Sequence, residues 1–472
     1  MTEALWTGAE VIAATGGRGD ADWQAQGVSI DTRTLEAGDL FVALAGDNHD
    51  GHDYLADAFA RGASAALVSE DYAGALMGAM VAVPDVLAGL RALGEAARRR
   101  STAHIVAITG SVGKTGTKEA LRRALSKTAA THASRKSYNN HVGVPLSLAA
   151  LPADAAYGVF ELGMNHAGEI DALTRLVRPH TAVITHIGEA HIENLGSLEG
   201  IARAKAEIFA GLEAGGTAII PRDSEFFDLL RSAAATHEAR RIIGFGHHEE
   251  ADIRVVRQYL HPTCSCVSAE MHGQAITFKV GAAGAHHVSN ALAVLGAVEA
   301  AGADLAFATL SFADMGNLAG RGARHEIETR NGRFTLIDES YNANPASMHA
   351  ALTALGLVPR PGQARRIAVL GDMVELGDAA RDCHADLARV VEQADIDMVF
   401  TCGALMRHLH DHLPPGRTGA HAETPDALLP PLLAELHAHD VVMVKGSRAT
   451  GMEVIVEGLL NPENGGRAVG SM

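Results

Sequence analysis

The sequence predicts an α/β protein of three domains, and three observations carry that prediction. From about residue 101 apolar strand-like runs alternate with helical stretches, the pattern of a mostly parallel sheet covered on both faces. Four further apolar runs, at 334–337, 366–370, 398–401 and 440–444, are again separated by helical segments. The 472-residue length itself suits about three domains. The expected division is a small α/β N-terminal module at 1–100, a central parallel-sheet domain at 101–314 and a C-terminal domain at 315–472.

In the first module, 28–33 reads as a strand running into a turn, 39–44 as a second strand and 65–69 as a third, with 54–61 helical between them. The strands are short, so the module is small. Its polar tips, one formed by Ser29, Asp31 and Arg33 and the other by residues 48–53, can hold a polar ligand. A lone Asp-x-Arg equally makes a satisfied surface turn, and the module alone says nothing of function.

Composition excludes several classes. Hydrophobic residues make up 47% and charged residues 20%, with 50 glycines, which describes a globular glycine-rich chain. Lys and Arg total 39 against 56 Asp and Glu, a formal charge of −17, which argues against a nucleic-acid path or an anionic membrane surface. Met1 to Trp6 show no basic leader, and no run approaches the ~20 apolar residues of a membrane span, so a cytoplasmic protein is expected. Four cysteines make no disulfide framework. Cys264 and Cys266 lie near His261 and His272, but the spacing fits no common zinc pattern, and partly buried strand cysteines are expected.

The central domain opens with a phosphate site. Residues 105–119 read as a buried strand, a glycine turn and the first turn of a helix. Gly110 and Gly113 let the backbone curl so that the N–H groups from Ser111 to Gly116 face an anion, Lys114 supplies positive charge and the Thr115 hydroxyl can reach Mg²⁺. ATP or GTP is the natural guest of such a P-loop. The full pattern wants a glycine where Ile108 stands, so this is the shorter Gly-x-x-Gly-Lys-Thr form beginning at Thr109.

Ligands of such sheets collect beyond the C-terminal ends of the strands. The run 157–160 ends in Glu161, and 182–185 leads to His186 and His191, so a carboxylate and imidazoles are expected beside the P-loop. Glu161 is a candidate Mg²⁺ ligand and His191 a candidate to complete or orient that shell. The polar loop 137–145, with Asn139 and Asn140, precedes a helix and suits substrate binding. Asn290, near the start of an apolar helix at 284–292, either faces the nucleotide or caps its helix.

The turn-rich stretch 318–324 reads as a hinge. Beyond it the four apolar runs end at 338–345, 371–373, 402–403 and 445–448, the tips of a Rossmann-like module without a dinucleotide glycine fingerprint. That module is expected to contribute side chains to a neighbouring site. The tail 461–472 is polar.

One further helix carries an anomaly. Ser197 can cap a helix running to about Leu212, and Ile201, Lys205, Ile208 and Leu212 fall on one face of it. Lys205 therefore points inward. A lysine among isoleucines calls for a partner, such as Glu161, or a snorkelling path to water.

These motifs together resemble the Mur ligases, ATP-dependent amide-forming enzymes of bacterial cell-wall synthesis. The resemblance rests on the short P-loop, Glu161-Leu162-Gly163, the runs 188–193 and 204–209, and Gly320-Arg321, and it covers nearly the whole chain. Within the family, 338–348 and 370–377 are similar to the member that joins D-alanyl-D-alanine to UDP-N-acetylmuramoyl-tripeptide. A sibling adding the third amino acid would carry a histidine-bearing motif where Tyr341 to Pro345 stand. A folate or cyanophycin type ligase would have a differently arranged first domain, and a GTPase switch would need a guanine-recognising motif that is not found.

The resemblance implies an acyl-phosphate intermediate, with charge neutralised by Lys114 and one or two Mg²⁺. It implies that Thr115, Glu161, His191 and a CO₂-carbamylated Lys205 hold metal, with Lys114, Lys205 and His191 catalytic. Thr109 to Gly116, Asn290, Asp338 and a hinge arginine, Arg321 or Arg324, would contact ATP. Substrate would meet Ser29, Asp31 and Arg33 at the UDP end, Asn139 and Asn140 in the middle, and Tyr341, Asn342 and Asn344 in the third domain. A monomer without nucleic-acid partners or membrane insertion is expected.

Overall fold

Three large sheets and a two-stranded one, Trp6–Thr7 with Gln24–Ala25, form among the described residues. The computed structural model describes all residues except 1–3, 47–48, 76, 135–136, 316–319, 330–331, 361, 363 and 462–472. The expectations placed on Asn48, on 318–319 of the hinge and on the tail from 462 therefore lie outside the described residues.

The first domain is a five-stranded sheet in the order Arg18–Gly19, Ala79–Val83, Ala65–Ser69, Asp39–Val42, Gly27–Ser29, parallel except for the first pair. The sequence reading missed Ala79–Val83 and the helix Val86–Arg100, which Asp85 caps by accepting from the Ala88 N–H. This helix ties the domain to its neighbour. Arg98 donates to the Val177 and Arg178 carbonyls at 2.8 and 2.7 Å, and the Arg100 guanidinium lies 3.9 Å above the Trp6 ring. The indole in turn donates to the Ala149 carbonyl at 2.7 Å.

The middle domain is a nine-stranded sheet with His104–Thr109 between Thr181–Ile184 and Tyr157–Glu161, all three parallel. Register pairs Glu161 with Ile108 and Ile184 with Thr109, so three strand tips end on one edge. Apolar side chains fill both faces, one under Lys114–Leu125 and Ala285–Ala300, the other under Gly143–Ala149, Glu169–Val177 and Leu198–Ala206. The sheet departs from the parallel expectation at its far side, where Ile253–Leu260, Ser265–Met271 and Gln274–Val280 form an antiparallel meander. Cys264 stands just before the middle strand and Cys266 is exposed on it. No group of three metal-ligating side chains forms among the described residues.

The third domain is a six-stranded sheet in the order Ala323–Thr329, Gly332–Glu339, Val441–Lys445, Arg366–Gly371, Met398–Cys402, Thr418–Ala422, parallel except for the first pair. The four inner strands are the apolar runs read from the sequence; the two edge strands were not anticipated. No described helix is long and apolar enough to cross a membrane.

Acid sensitivity is built into the P-loop strand. His104 Nε2 lies 2.9 Å from Thr181 Oγ1, and burial, with the His180 imidazole next, holds its pKa down to about 4. An unfolded chain takes up this proton near pH 6.5, whereas the fold takes it only near 4. Stability from this group is therefore complete above pH 6.5 and lost as pH falls towards 4, by at most about 3 kcal/mol. Urea midpoints at pH 7.5 and 5 are expected to differ less for His104→Gln than for the wild type. Equal differences would refute the assignment.

Candidate active site

The phosphate loop is shaped by two glycines that no other residue replaces. Gly110 and Gly113 have φ of 151° and 90°, and a Cβ on them would lie 2.0 Å from Thr185 Oγ1 and 2.5 Å from Asn290 Oδ1. Asn290 thus packs on the loop, and it is not the cap of Ala285–Ala300, which begins after Gly284. The loop is pinned to the neighbouring strand tip: Ser111 Oγ donates to the Gly188 carbonyl at 2.8 Å and Thr185 Oγ1 to the Val112 carbonyl at 2.6 Å. Lys114 Nζ bridges back to the Gly110 carbonyl at 2.6 Å. Burial lowers the Lys114 pKa, Glu161 opposes that shift and Arg321 adds to it.

Glu161 is almost wholly buried and held from two sides. Thr115 Oγ1 donates to one carboxylate oxygen and Asn139 Nδ2 to the other, each at 2.7 Å, and Ser137 Oγ lies 3.1 Å from the threonine hydroxyl. A hydroxyl and a carboxylate at the phosphate loop are the hard oxygen donors that Mg²⁺ prefers.

Lys205 comes from Leu198–Ala206, whose N-cap Ser197 accepts from the Gly200 N–H at 3.0 Å. The α-helix is shorter than expected, because from Glu207 to Gly211 the chain winds as a 3₁₀ turn. Ile201, Lys205 and Ile208 are buried as predicted, but Leu212 follows the tighter turn and is half-buried. Lys205 is 2% exposed and makes no ion pair among the described residues, so the suggested bridge to Glu161 is not formed. Burial first, and Lys114 second, push its pKa well below that of an ordinary lysine.

His191 adopts a left-handed conformation, φ 60°, and its Nδ1 meets the Glu375 carboxylate of the third domain. Burial lowers its pKa, Glu375 works against that, and Lys114 and Lys205 reinforce it. From the third domain, Arg321 donates to Ser137 Oγ at 3.4 Å and lies 4.0 Å above the Tyr341 ring, with Arg448 5.7 Å from the same ring. Lys445 donates to the Asn342 carbonyl at 3.0 Å and pairs with Glu339 at 3.4 Å; burial lowers its pKa against Glu339.

These groups line one cleft of about 1400 Å³ between the middle and third domains. Of the residues singled out in the sequence, Ser111 to Gly116, Asn139, Glu161, His191, Lys205, Asn290, Arg321, Tyr341, Asn342 and Asn344 face it. Asn344 also caps Pro345–Gly356 through a capping box with Ser347. Thr109 and Gly110 lie behind the loop and do not line it.

Other expected contacts point elsewhere. The Asp338 carboxylate accepts from the Gly320 and Ser340 N–H groups at 2.7 and 3.1 Å and from Ser340 Oγ at 2.6 Å, so it shapes the hinge and does not line the cleft. Asn140 accepts from the Gly143 N–H at 2.9 Å at the start of its helix. Ser29, Asp31 and Arg33 form a turn in the first domain, with Arg33 paired to Asp31 at 2.8 Å and its side chain 85% exposed. Arg324 reaches the rim but donates to the Pro262 carbonyl at 2.5 Å.

The sequence reading did not single out Glu339, Glu375, His286 or His287, all in the cleft wall. The two histidines stand in the quoted 284–292 stretch, while Glu375 gains its partner only through domain packing.

A phosphate loop with a hydroxyl–carboxylate pair, enclosed lysines, and a Rossmann-like domain facing them across a cleft define a nucleotide-dependent ligase. The chain belongs to the Mur ligase family. It matches the family's catalytic domain over residues 24–101, its middle domain over 108–298 and its glutamate ligase domain over 320–448. It is 34% identical to the UDP-N-acetylmuramoyl-tripeptide–D-alanyl-D-alanine ligase of Bacillus subtilis, over 92% of this chain and 93% of that one. The Escherichia coli enzyme of the same name is 33% identical, over 94% and 95%. The crystal structure of MurF from Acinetobacter baumannii superposes with a TM-score of 0.82 at 31% identity, covering 97% of this chain and 99% of that one.

The loop geometry gives a direct test. Gly113→Ala places a methyl group against Asn290 in a left-handed position, and ADP affinity by calorimetry is expected to fall at least about tenfold, on the order of 1.4 kcal/mol. Wild-type affinity in this variant would show that the loop does not need the glycine.

Proposed function

We propose that the chain joins D-alanyl-D-alanine to UDP-N-acetylmuramoyl-tripeptide while ATP is cleaved to ADP and phosphate. The observation that carries this reading is the meeting of Lys114 and Glu161 with Arg321, Tyr341 and Lys445 in one cleft, supported by full-length relatives bearing that activity in their names. This reading takes the enzyme to be a cytoplasmic monomer.

ATP would lie with its phosphates along Ser111 to Gly116. The terminal carboxylate of the tripeptide attacks the γ-phosphorus and ADP leaves, giving an acyl phosphate. The dipeptide amine attacks the acyl carbon, the tetrahedral intermediate expels phosphate, and the nitrogen releases its proton as the amide forms. Lys114 and Arg321 offset charge on the transferred phosphoryl group, and of the two hinge arginines Arg321 is assigned this role because it lies beside Lys114 and Ser137. Lys445, Tyr341, Asn342, Asn344 and Arg448 position the incoming dipeptide, and Asn139 the tripeptide end, so that the reacting atoms start close together. Ser29, Asp31 and Arg33 receive the UDP end.

Thr115 and Glu161 would hold Mg²⁺, and its positive charge when bound neutralises phosphate oxygens. Lys205 fits carbamylation: it is enclosed, without an ion-pair partner among the described residues, and shifted towards the neutral amine that adds to CO₂. The resulting carbamate oxygens, with His191, would hold a second ion.

Phosphate release is expected to require ATP, Mg²⁺ and both substrates; release without the dipeptide would oppose the reading. Lys114→Ala should keep its fold and lose ligation, and unchanged turnover at saturating ATP would remove the lysine's role. Lys205→Ala should be nearly inactive and partly restored by short carboxylic acids, while ¹³CO₂ gives a carbamate signal in the wild type alone. Full activity of that variant would end the carbamate assignment.

A further inference from the structure

Glu375 has no place in the assignments above, yet its carboxylate meets His191 across the boundary between the middle and third domains. It follows the strand Arg366–Gly371, while His191 precedes the short helix Ile192–Leu195 of the other domain. The two residues share an uncommon backbone state, with φ of 63° and 60°. Residues other than glycine hold this left-handed conformation only where their surroundings enforce it. The two segments also pack on each other: Gly377, φ 53°, abuts Glu193, where an added Cβ would lie 3.4 Å from Cγ.

The Glu375 carboxylate touches His191 Nδ1, which is buried and has no other acceptor among the described residues. The contact sets a carboxylate oxygen against the imidazole nitrogen, where it can accept from Nδ1–H. A histidine whose Nδ1–H faces a carboxylate keeps its lone pair on Nε2, and a carboxylate in that position fixes both tautomer and ring orientation for a ligating imidazole. His191 is on the cleft wall beside Lys114 and Lys205, where Nε2 is the nitrogen left to serve.

We propose that Glu375 is a positioning residue that reaches across the domain boundary to set His191, so that the His191 metal position is complete only when the third domain is seated. This rests on the assignment of His191 as a metal-holding group. It makes the third domain a part of the metal site without supplying a ligand to it. Seating of that domain and completion of the site then become one event, which keeps an open cleft from holding both ions over ATP.

The test is Mn²⁺ binding, read by electron paramagnetic resonance on the full chain with a non-hydrolysable ATP analogue. The wild type should take up two equivalents, and His191→Ala should lose the second. Glu375→Ala should weaken the second equivalent about 10–100-fold and leave the first unchanged. Glu375→Gln keeps an oxygen acceptor for Nδ1–H and should stay within about threefold of the wild type. If the alanine variant fails to fold, Glu375→Asp, whose shorter side chain misses Nδ1, should show the same selective loss. A second equivalent within twofold of the wild type in Glu375→Ala or Glu375→Asp would overturn the proposal, as would equal loss in the glutamine and alanine variants. If His191→Ala also binds normally, the metal assignment of His191 falls with it; normal binding by the Glu375 variants alone leaves that assignment standing.

Discussion

Like charges enclosed in one cleft are the constraint on which the rest of the site depends. Lys205 is disfavoured by Lys114, Lys114 by Arg321, and Lys445 by Arg321, a row of cations that begins in the middle domain and ends in the third. Each is also taken out of water, and an enclosed ammonium without a partner loses several kcal/mol of hydration. Glu161 and Glu339 oppose Lys114 and Lys445, but Lys205 has no such partner among the described residues. Such an arrangement suits a polyanionic guest, because the phosphates supply the charge that the protein withholds. For Lys205 a second resolution exists in losing its proton, and burial drives it that way.

The sheet register turns this electrostatic constraint into geometry. Because Tyr157–Glu161, His104–Thr109 and Thr181–Ile184 are parallel and in step, Glu161, the phosphate loop and Thr185 arrive at one edge without long loops. Short paths leave little freedom: Ser111 and Thr185 pin the loop to its neighbour, and Thr115 and Asn139 immobilise Glu161. A site held this way is organised before its ligand binds, which lowers the ordering cost at the moment of reaction.

What the sequence made legible follows the same division between local and distant causes. The strand, glycine turn and helix of the phosphate loop are a local pattern, and the inward direction of Lys205 follows from a 3.6-residue period; both were readable. Leu212 was misplaced because the helix tightens to three residues per turn after Ala206, which rotates later side chains off the face. The edge strands Ala323–Thr329 and Thr418–Ala422 were missed because an edge exposes polar residues and breaks the apolar signal. Asp338 was placed correctly at a strand tip, yet its carboxylate turns to the Gly320 N–H, a choice that only the fold of the hinge decides. Glu375 stands in the quoted run 370–377, but its contact could not be read because its partner lies in another domain.

The three domains are not joined alike, and that asymmetry bears on how the site works. Arg98 caps the end of Glu169–Val177 and Trp6 is sealed between Arg100 and the Ala149 carbonyl, so the first domain is fixed to the middle one by buried, directional bonds. The third domain meets the middle through polar contacts at the cleft itself: Arg321 to Ser137, Arg324 to Pro262 and Glu375 to His191. Partly hydrated polar contacts are individually weak, and a ligand that bridges the same groups can replace or strengthen them. A nucleotide bound between Lys114 and Arg321, as proposed, would therefore act on this boundary through its own charge. On the assignments proposed above, the groups that would meet the incoming amine belong to the same domain as Arg321, so nucleotide and amine would act on one boundary.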